Sequence, residues 1–545
     1  MTTMNATMKA NFKLCGIYLL AAVLMLGTAL SSWSPSASAA PAITTDFASL
    51  NASQVVFEMG AGWNLGNQLE ASVNGTPSET AWGNPAVTQA LIQKVKAAGF
   101  KTIRIPVSYL NHIGGAPNYT INATWLNRVK TVVDYAYNEG LYVVMNIHGD
   151  GYNSVAGSWL LVNGSDQAMI KAKYQKVWQQ IATTFVNYDE RLIFESMNEE
   201  FDGTYGTPNT AYYANLNAYN QIFVDTVRQT GGNNATRWLL IPGWNTNIDY
   251  TVGNYGFVLP TDNYRSSTIP SSEKRIMISV HYYSPWDFAG EESGTITQWG
   301  AGATNPAKKS TWGQEDYLEA QLKSTYDKFV TQGYPVVVGE FGAIDKTAHD
   351  AANNAYRATF AKAVSATARK YGAVPIVWDN GHNGQYGFGL FNRSTNAVTQ
   401  QGIIDAIMSA MNTNKLKNAA SSLYADGMGR TTNGSNAGQW GASSGSNQQW
   451  VMEFYGSYYK IKNTATGLYL DGMGHTASGS ICGQWSSGTS ANQRWVLEAY
   501  GSHYRIKNLA SGLYLDSGGS TANGADLKQA TASASANQQW QLVKP

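Results

Sequence analysis

From about Val55 to Met411, short apolar runs alternate with stretches whose apolar positions return every three to four residues. Apolar runs of four to eight residues bounded by turn residues read as buried strands, and the 3.6-residue period reads as helix. The pattern predicts strands at Phe57–Leu65, Thr102–Pro106, Leu141–Ile147, Arg191–Met197, Trp238–Ile241, Arg275–His281, Pro335–Glu340 and Val374–Trp378. It predicts helices near Pro85–Ala98, Ala123–Glu139, Gln167–Asn187, Ala211–Gln229, Glu315–Thr331, Asp350–Tyr371 and Gln401–Met411, with residues 243–273 reading as loop. Eight strands alternating with helices fit an α/β fold of the (β/α)8 TIM-barrel type. An open doubly wound sheet is the competing arrangement. It wants a glycine-rich phosphate turn after the first strand, and Gly60-Ala61-Gly62 falls inside the first run with no helix behind it.

After Asn412 the helical period stops and a repeat of 45 residues begins. Asn447-Gln448-Gln449-Trp450 returns as Asn492-Gln493-Arg494-Trp495 and Asn537-Gln538-Gln539-Trp540. Leu423-Tyr424-Ala425-Asp426 returns as Leu468-Tyr469-Leu470-Asp471 and Leu513-Tyr514-Leu515-Asp516. Three copies of short alternating strands with Gly turns predict an all-β trefoil, because a propeller of this period needs four or more blades. The first repeat reads from Lys415, leaving a linker of a few residues. The expected organisation is residues 1–39 as a signal peptide, 46–413 as the barrel and 414–545 as the trefoil.

The signal-peptide reading rests on Lys9 and Lys13, the apolar run Leu14 to Leu30 and the small-residue site Ala37-Ser38-Ala39-Ala40, which together have the shape of a cleaved secretory leader. An extracellular location follows, with no later membrane span. Cys15 lies in the leader, so Cys482 has no partner for a disulfide and reads as a small buried residue. The net charge of +1 and the lack of a basic cluster argue against a nucleic-acid partner. Aromatic residues make up 12% of the chain and charged residues 13%, which suits a carbohydrate partner, since Trp and Tyr faces stack on sugar rings.

Chemistry concentrates at the predicted strand ends, where a parallel barrel keeps its reactive groups. These carry Trp63 and Asn64, Arg104, His148, Asn198 and Glu199, Trp244, His281 and Tyr283, Glu340, and Trp378. Two strands that each end on a Glu suggest paired carboxyls, as glycosidic hydrolysis requires. Arg104 beside Glu340 would lower its pKa and favour the anion, and Tyr283 could hydrogen-bond the same carboxylate. Asn198 could hold a sugar 2-hydroxyl, and Trp378 could floor the reacting ring. The remaining histidines, His112, His349, His382, His475 and His503, show no metal-ligand spacing.

The chain resembles glycoside hydrolase family 5, in particular its subfamily 4 of mostly endo-glucanases. The motifs that carry the resemblance are Trp63-Asn64-Leu65-Gly66-Asn67, Arg104-Ile105-Pro106, Asn146-Ile147-His148, Asn198-Glu199, His281-Tyr282-Tyr283, Gly339-Glu340-Phe341-Gly342 and Trp378-Asp379-Asn380-Gly381. The resemblance implies a retaining endo-β-1,4-glucanase acting on cellulose or related β-glucan, without metal or cofactor and as a monomer. It implies Glu199 as acid/base and Glu340 as nucleophile. Arg104, His148, Asn198, His281, Tyr283 and Trp378 match the family's supporting positions, with Asn67 and Trp244 as further substrate contacts. Mannan, xylan and xyloglucan remain open as substrates, as does a barrel that binds sugar without cleaving it. Two departures stand out: Gly149 where many relatives have a second His, and Glu200-Phe201 where many have Pro-Arg. Strand alternation should turn Glu200 away from the pocket. The repeats resemble ricin-B-type trefoil lectins (carbohydrate-binding module family 13). That resemblance implies sugar sites at Asp426, Trp440 and Asn447 and at Asp471, Trp485 and Asn492. The third repeat has Ala530 at the stacking position, and the capping of a turn is the competing role for each Asp.

Overall fold

The computed structural model describes residues 49–454 and 458–544. The expected leader lies outside the described residues. Within them no helix is long and apolar enough to cross a membrane.

Eight parallel strands close into a barrel in sequence order, β1 pairing with both β2 and β8. They are β1 (Gly62–Asn64), β2 (Thr102–Ile105), β3 (Tyr142–Asn146), β4 (Leu192–Glu195), β5 (Leu239–Pro242), β6 (Ile276–Tyr282), β7 (Val336–Phe341) and β8 (Ala373–Val377). Every residue of the eight is buried, as expected of strands packed on both sides. The helices α1 (Ala52–Met59), α2 (Gln89–Ala97), α3 (Ala123–Asn138), α4 (Gln167–Thr184), α5 (Thr210–Gln229), α6 (Glu315–Lys328), α7 (Asn353–Lys370) and α8 (Gln401–Asn412) complete this part of the chain.

The expected first strand is corrected at its start. Asn51 and Gln54 form a reciprocal capping box, Asn51 accepting from the Gln54 N–H and Gln54 from the Asn51 N–H, both at 3.0 Å. This pair satisfies two otherwise unbonded N–H groups at a helix start. Residues 52–59 are therefore helical, and Gly60 at φ 53° turns the chain into β1. After β5, the expected loop contains one five-residue helix, Ile248–Val252.

The C-terminal part is a β-rich trefoil whose first strand, Thr413–Asn418, pairs with its last, Trp540–Val543. That strand follows α8 directly, so the expected linker does not exist. The core is built in threes at the repeat period. Leu416, Ile461 and Ile506 form one set, Ala425, Leu470 and Leu515 another, and Ala437, Cys482 and Leu527 a third, with Trp450, Trp495 and Trp540 beside them. Each of these Trp indoles donates to a backbone carbonyl 25 residues earlier, at 2.9–3.0 Å. Cys482 fills the place that its counterparts give to Ala and Leu, and burial pushes its thiol up, away from thiolate chemistry.

Candidate active site

Barrel register sets the site. It pairs Asn64 with Arg104, Asn146 with Glu195 and His281 with Glu340, the last across a bulge between Val280 and His281. Polar groups from neighbouring strands thus meet at the C-terminal rim. Arg104 is fully buried and ties them together. Its Nε donates to Glu195 Oε2 at 2.7 Å, Nη1 to Glu340 Oε1 at 2.7 Å and to Asn64 Oδ1 at 3.0 Å, and Nη2 to Asn198 Oδ1 at 2.6 Å. Charge-assisted bonds this short are among the strongest available to a side chain. Burial opposes the Arg104 charge, yet Glu195 and Glu340 push the guanidinium above its ordinary value.

Glu340 also accepts from the Tyr283 hydroxyl at 3.0 Å. Burial, with Glu340 and Glu199 nearby, pushes that phenol well up, so it stays protonated as a donor. Sequence reasoning expected Arg104 to set the direction of the Glu340 shift. Instead, burial pushes the carboxyl up and outweighs the downward pull of His281 and Arg104. Glu199 stands on the loop after β4, its side chain 31% exposed, with His281 Nδ1 2.6 Å from Oε1. One oxygen of Glu199, one oxygen of Glu340 and a nitrogen of His281 all lie within 4.8 Å of one another.

His148 stacks on Trp378, centroids 6.1 Å apart at 11°. Burial, reinforced by the Arg104 and His281 charges, pushes the His148 imidazole well down and keeps it neutral. Its Nε2 lies 3.3 Å from Asn198 Nδ2, which also donates to the Tyr152 hydroxyl. Trp378 is half-buried, and its ring lies where a Cβ on Gly66 would come within 2.7 Å. Glycine is required there so that the indole can cover the rim.

The structure brings Arg104, His148, Asn198, Glu199, His281, Tyr283, Glu340 and Trp378 together. Asn67 sits half-buried at φ 57° in the turn after β1, and Asn84 Nδ2 donates both to its carbonyl and to that of Asn380. Trp244 differs from expectation. It is 1% exposed and packs in the core against Tyr213, centroids 5.6 Å apart, so it offers no face to a sugar. Its neighbour Thr246 instead reaches Glu199, Oγ1 to Oε1 at 3.5 Å.

Several residues escaped the sequence reading. Glu195 is fully buried and accepts from Arg104, from Asn146 Nδ2 at 3.0 Å and from Ser279 Oγ at 2.6 Å. Its place at the last position of a strand facing Arg104 was the available signal. Tyr152 arrives from an irregular loop that carried none. Glu200 is fully buried, no side chain among the described residues hydrogen-bonds its carboxyl, and the Gly151 backbone N–H faces it. Burial, Asp150 and Glu199 push it well above the carboxylate range. Its Oε2 lies 1.6 Å from where a Cβ on Gly151 would be. Gly149, at φ 80°, leaves open space beside His148, since a Cβ there would meet only the Tyr152 ring at 3.9 Å.

In the trefoil, Trp440 and Trp485 are each 43% exposed. Asp426 and Asp471 cap turns through Oδ1, accepting from Met428 N at 2.6 Å and Met473 N at 2.7 Å. Asn447 and Asn492 are half-buried, each receiving at its carbonyl an N–H from the turn that its Asp caps. Gln448 Nε2 donates to Gly441 O at 2.7 Å, tying its own turn.

A closed (β/α)8 barrel with two carboxyls, Glu199 and Glu340, facing each other at its C-terminal rim has the architecture of a glycoside hydrolase. The family model described as Cellulase (glycosyl hydrolase family 5) matches residues 66–384, and the chain belongs to that family. The model described as ricin-type beta-trefoil lectin domain-like matches residues 408–485, 446–530 and 491–545. The chain is 72% identical over 404 residues to Endoglucanase A of Paenibacillus barcinonensis, covering 74% of this chain and 100% of that protein. Among solved structures it is similar to a family 5 xyloglucanase from Paenibacillus pabuli, at 80% identity and TM-score 0.65. That match covers 66% of this chain and 100% of the other. It is also similar to a GH5-4 broad specificity endoglucanase from Bacteroides salanitronis, at 40% identity and TM-score 0.62, covering 66% and 95%.

Proposed function

We propose that this protein is a secreted, retaining endo-β-1,4-glucanase in which Glu340 is the nucleophile and Glu199 the acid/base. The observation that carries the reading is the approach of Glu199 and Glu340, with oxygens within 4.8 Å of each other. Retaining enzymes hold their carboxyls about 5–5.5 Å apart, whereas inverting enzymes leave room for a water at roughly 6.5–9.5 Å. In the first step Glu340 attacks the anomeric carbon while Glu199 protonates the departing glycosidic oxygen. Water then enters with Glu199 as base, and Glu340 departs. Arg104 and Tyr283 hold Glu340 in line for attack. His281, through Nδ1, orients Glu199. Asn198 turns its Nδ2 toward the sugar 2-hydroxyl, giving up one of its two present neighbours. Trp378, backed by His148, floors the sugar ring. The trefoil binds polysaccharide through Trp440 and Trp485, with Asp426, Asn447, Asp471 and Asn492 beside them, and the enzyme works as a monomer.

A second reading, xyloglucan as the preferred substrate, is favoured by the 80% identity to a family 5 xyloglucanase. The open space at Gly149 suits a branched chain, because a sugar substituent needs room that a second imidazole would fill. One panel on the purified enzyme separates the readings. Reducing ends are counted on carboxymethyl cellulose, mixed-linkage β-glucan, xyloglucan, xylan and mannan. Activity confined to xylan or mannan would overturn both β-glucan readings. The anomer released first, followed by NMR, tests retention.

A further inference from the structure

Asn198 Nδ2 faces two neighbours, and they are held differently. Asn198 Oδ1 accepts from Arg104 Nη2 at 2.6 Å, which fixes the amide with Nδ2 toward His148 and the Tyr152 hydroxyl. The His148 ring is locked, stacked on Trp378 and with its Nδ1 3.4 Å from Asn146 Nδ2. Tyr152 comes from a loop whose backbone is pinned. Two residues earlier, the Asp150 carboxylate accepts from Ser108 Oγ at 2.6 Å, Leu110 N at 3.0 Å and Trp159 Nε1 at 2.8 Å. The Tyr152 carbonyl itself accepts from Ser158 Oγ at 2.7 Å. The half-buried Tyr152 ring lies edge-on to His148, centroids 6.3 Å apart at 67°, and borders the open space beside Gly149.

A tyrosine hydroxyl both accepts and donates. Here it accepts from Asn198 and keeps a hydrogen of its own. Burial, then the Glu199, Glu200 and Glu340 charges, push the phenol well above its ordinary value, so it stays protonated in the field of both proposed catalytic carboxyls. A sugar hydroxyl entering beside Asn198 is chemically like the phenol it displaces. Asn198 therefore exchanges one acceptor for another at little net cost.

We infer that Tyr152 is a second contact for the 2-hydroxyl of the reacting sugar. That hydroxyl takes over the Asn198 hydrogen, and the Tyr152 ring shifts into the space beside Gly149 far enough for its own hydroxyl to donate to the same oxygen. This rests on the reading above in which Asn198 holds the 2-hydroxyl. Bonds to that hydroxyl strengthen as the ring gains positive charge, so the contact serves the transition state more than the ground state.

The test is a cycle that removes one hydroxyl from each partner in turn. The parent, Tyr152→Phe and Asn198→Ala are compared by kcat/KM on a dinitrophenyl β-cellobioside and on its analogue lacking the 2-hydroxyl of the sugar next to the aryl group. The dinitrophenyl group leaves without a proton, so Glu199 does not enter the first step. Both substrates are read on one preparation, so their ratio does not depend on how much of a variant folds. Tyr152→Phe should lose about tenfold on the full glycoside and no more than about threefold on the deoxy analogue, the size of one hydrogen bond that only the first can make. Asn198→Ala should show the same contrast. Equal losses for Tyr152→Phe on the two substrates would mean that Tyr152 acts through packing, and no loss on the full glycoside would mean that it acts not at all; either result overturns the inference. In both cases Asn198→Ala separates the causes. If it keeps the contrast, Asn198 still holds the 2-hydroxyl and Tyr152 alone is struck out; if it loses the contrast, both assignments fall.

Discussion

The adjacent pair Glu199 and Glu200 permits a decisive chemical test. The perturbation is to remove each carboxyl in turn. Glu199→Ala deletes a group that is 31% exposed between His281 and Thr246, leaving a solvent-open gap facing Glu340. Glu200→Ala deletes a fully buried carboxyl pressed against Gly151, leaving a closed cavity. General acid catalysis contributes roughly 10²–10⁴-fold, or about 3–5 kcal/mol at 1.36 kcal/mol per decade. Glu199→Ala should lose that factor on a β-glucan, whose leaving alkoxide needs a proton. It should lose little in the first step with a dinitrophenyl glycoside, whose leaving group needs none. The second step then limits turnover, because no base activates water. Azide fits the gap, needs no base, and should restore turnover while giving a β-glycosyl azide.

The assay follows phenol release with and without azide and identifies the product by NMR. Glu200→Gln should keep activity within about threefold of the parent, because burial already holds that carboxyl protonated and the amide has nearly the same shape. Azide rescue of Glu200→Ala, or its failure in Glu199→Ala, would refute the assignment. An α-glycosyl azide would refute the retaining mechanism.

Other consequences can be measured separately. Glu340→Gln should abolish turnover on every substrate and leave the unfolding transition in place. Glu195→Gln removes one carboxylate from a buried, paired arginine, so it should cost about 3 kcal/mol in denaturant unfolding and lower kcat more than it raises KM. Burial pushes Glu70 up to about 7 from an ordinary 4.5. Its contribution to stability is therefore complete below pH 4.5 and lost as pH rises through 7, amounting to about 3 kcal/mol at 1.36 kcal/mol per unit. Glu70→Gln, which removes the ionisation, should flatten that part of the stability profile between pH 5 and 8, with a constant loss at every pH because the Asn67 or the Gln68 N–H forfeits its acceptor. An unchanged slope would show that Glu70 is already ionised at pH 5. Gly66→Ala would drive a Cβ into both the Trp378 ring and the Asp379 carbonyl, so it should lower kcat/KM on β-glucan at least tenfold and lower the melting temperature as well.

Much of this was legible in the sequence, because burial on both faces writes a strand as an unbroken apolar run. Val336-Val337-Val338 and Leu239-Leu240-Ile241 could hardly be anything else. Candidate site residues were legible where a polar group interrupts such a run near its end, as Arg104 and Glu340 do. The first strand misled because its apolar residues straddle a helix and a strand, and the Asn51–Gln54 box that divides them was overlooked. Trp244 misled because an aromatic at a strand end can face either the cleft or the core, and spacing does not record which. Glu195 was passed over because a carboxylate at a strand end also fits a plain ion-paired terminus, and only the meeting with buried Arg104 distinguishes it. The trefoil core was legible in full, since a strict 45-residue period places equivalent residues on one threefold axis.

The junction between the two parts changes what the trefoil can contribute. Gln54 Nε2 donates to Gly501 O at 2.7 Å, Lys101 to Tyr459 at 2.8 Å, and Phe57 packs on Tyr504 at 5.4 Å. Each barrel residue among these precedes β1 or β2, so the contact is at the end of the barrel away from Glu199 and Glu340. Trp440 and Trp485 therefore do not lengthen the cleft. With α8 running directly into the first trefoil strand, no flexible tether sweeps them past the substrate either. A gain in effective concentration needs both sites to engage at once, and here a single soluble chain would have to pass around the barrel. Neighbouring chains in a solid can meet both ends together. Trp440→Ala with Trp485→Ala should accordingly reduce retention on insoluble polysaccharide and leave hydrolysis of soluble oligosaccharides unchanged. Removal of the trefoil after Met411 is a poorer test of the same idea. It also uncovers Phe57 and Lys101 and takes away the Arg369 partners Thr413 and Asn414, so it should lower the melting temperature where the double Trp variant does not. If the double variant stays bound to insoluble polysaccharide as well as the parent does, the trefoil serves the barrel as a brace and not as a sugar anchor.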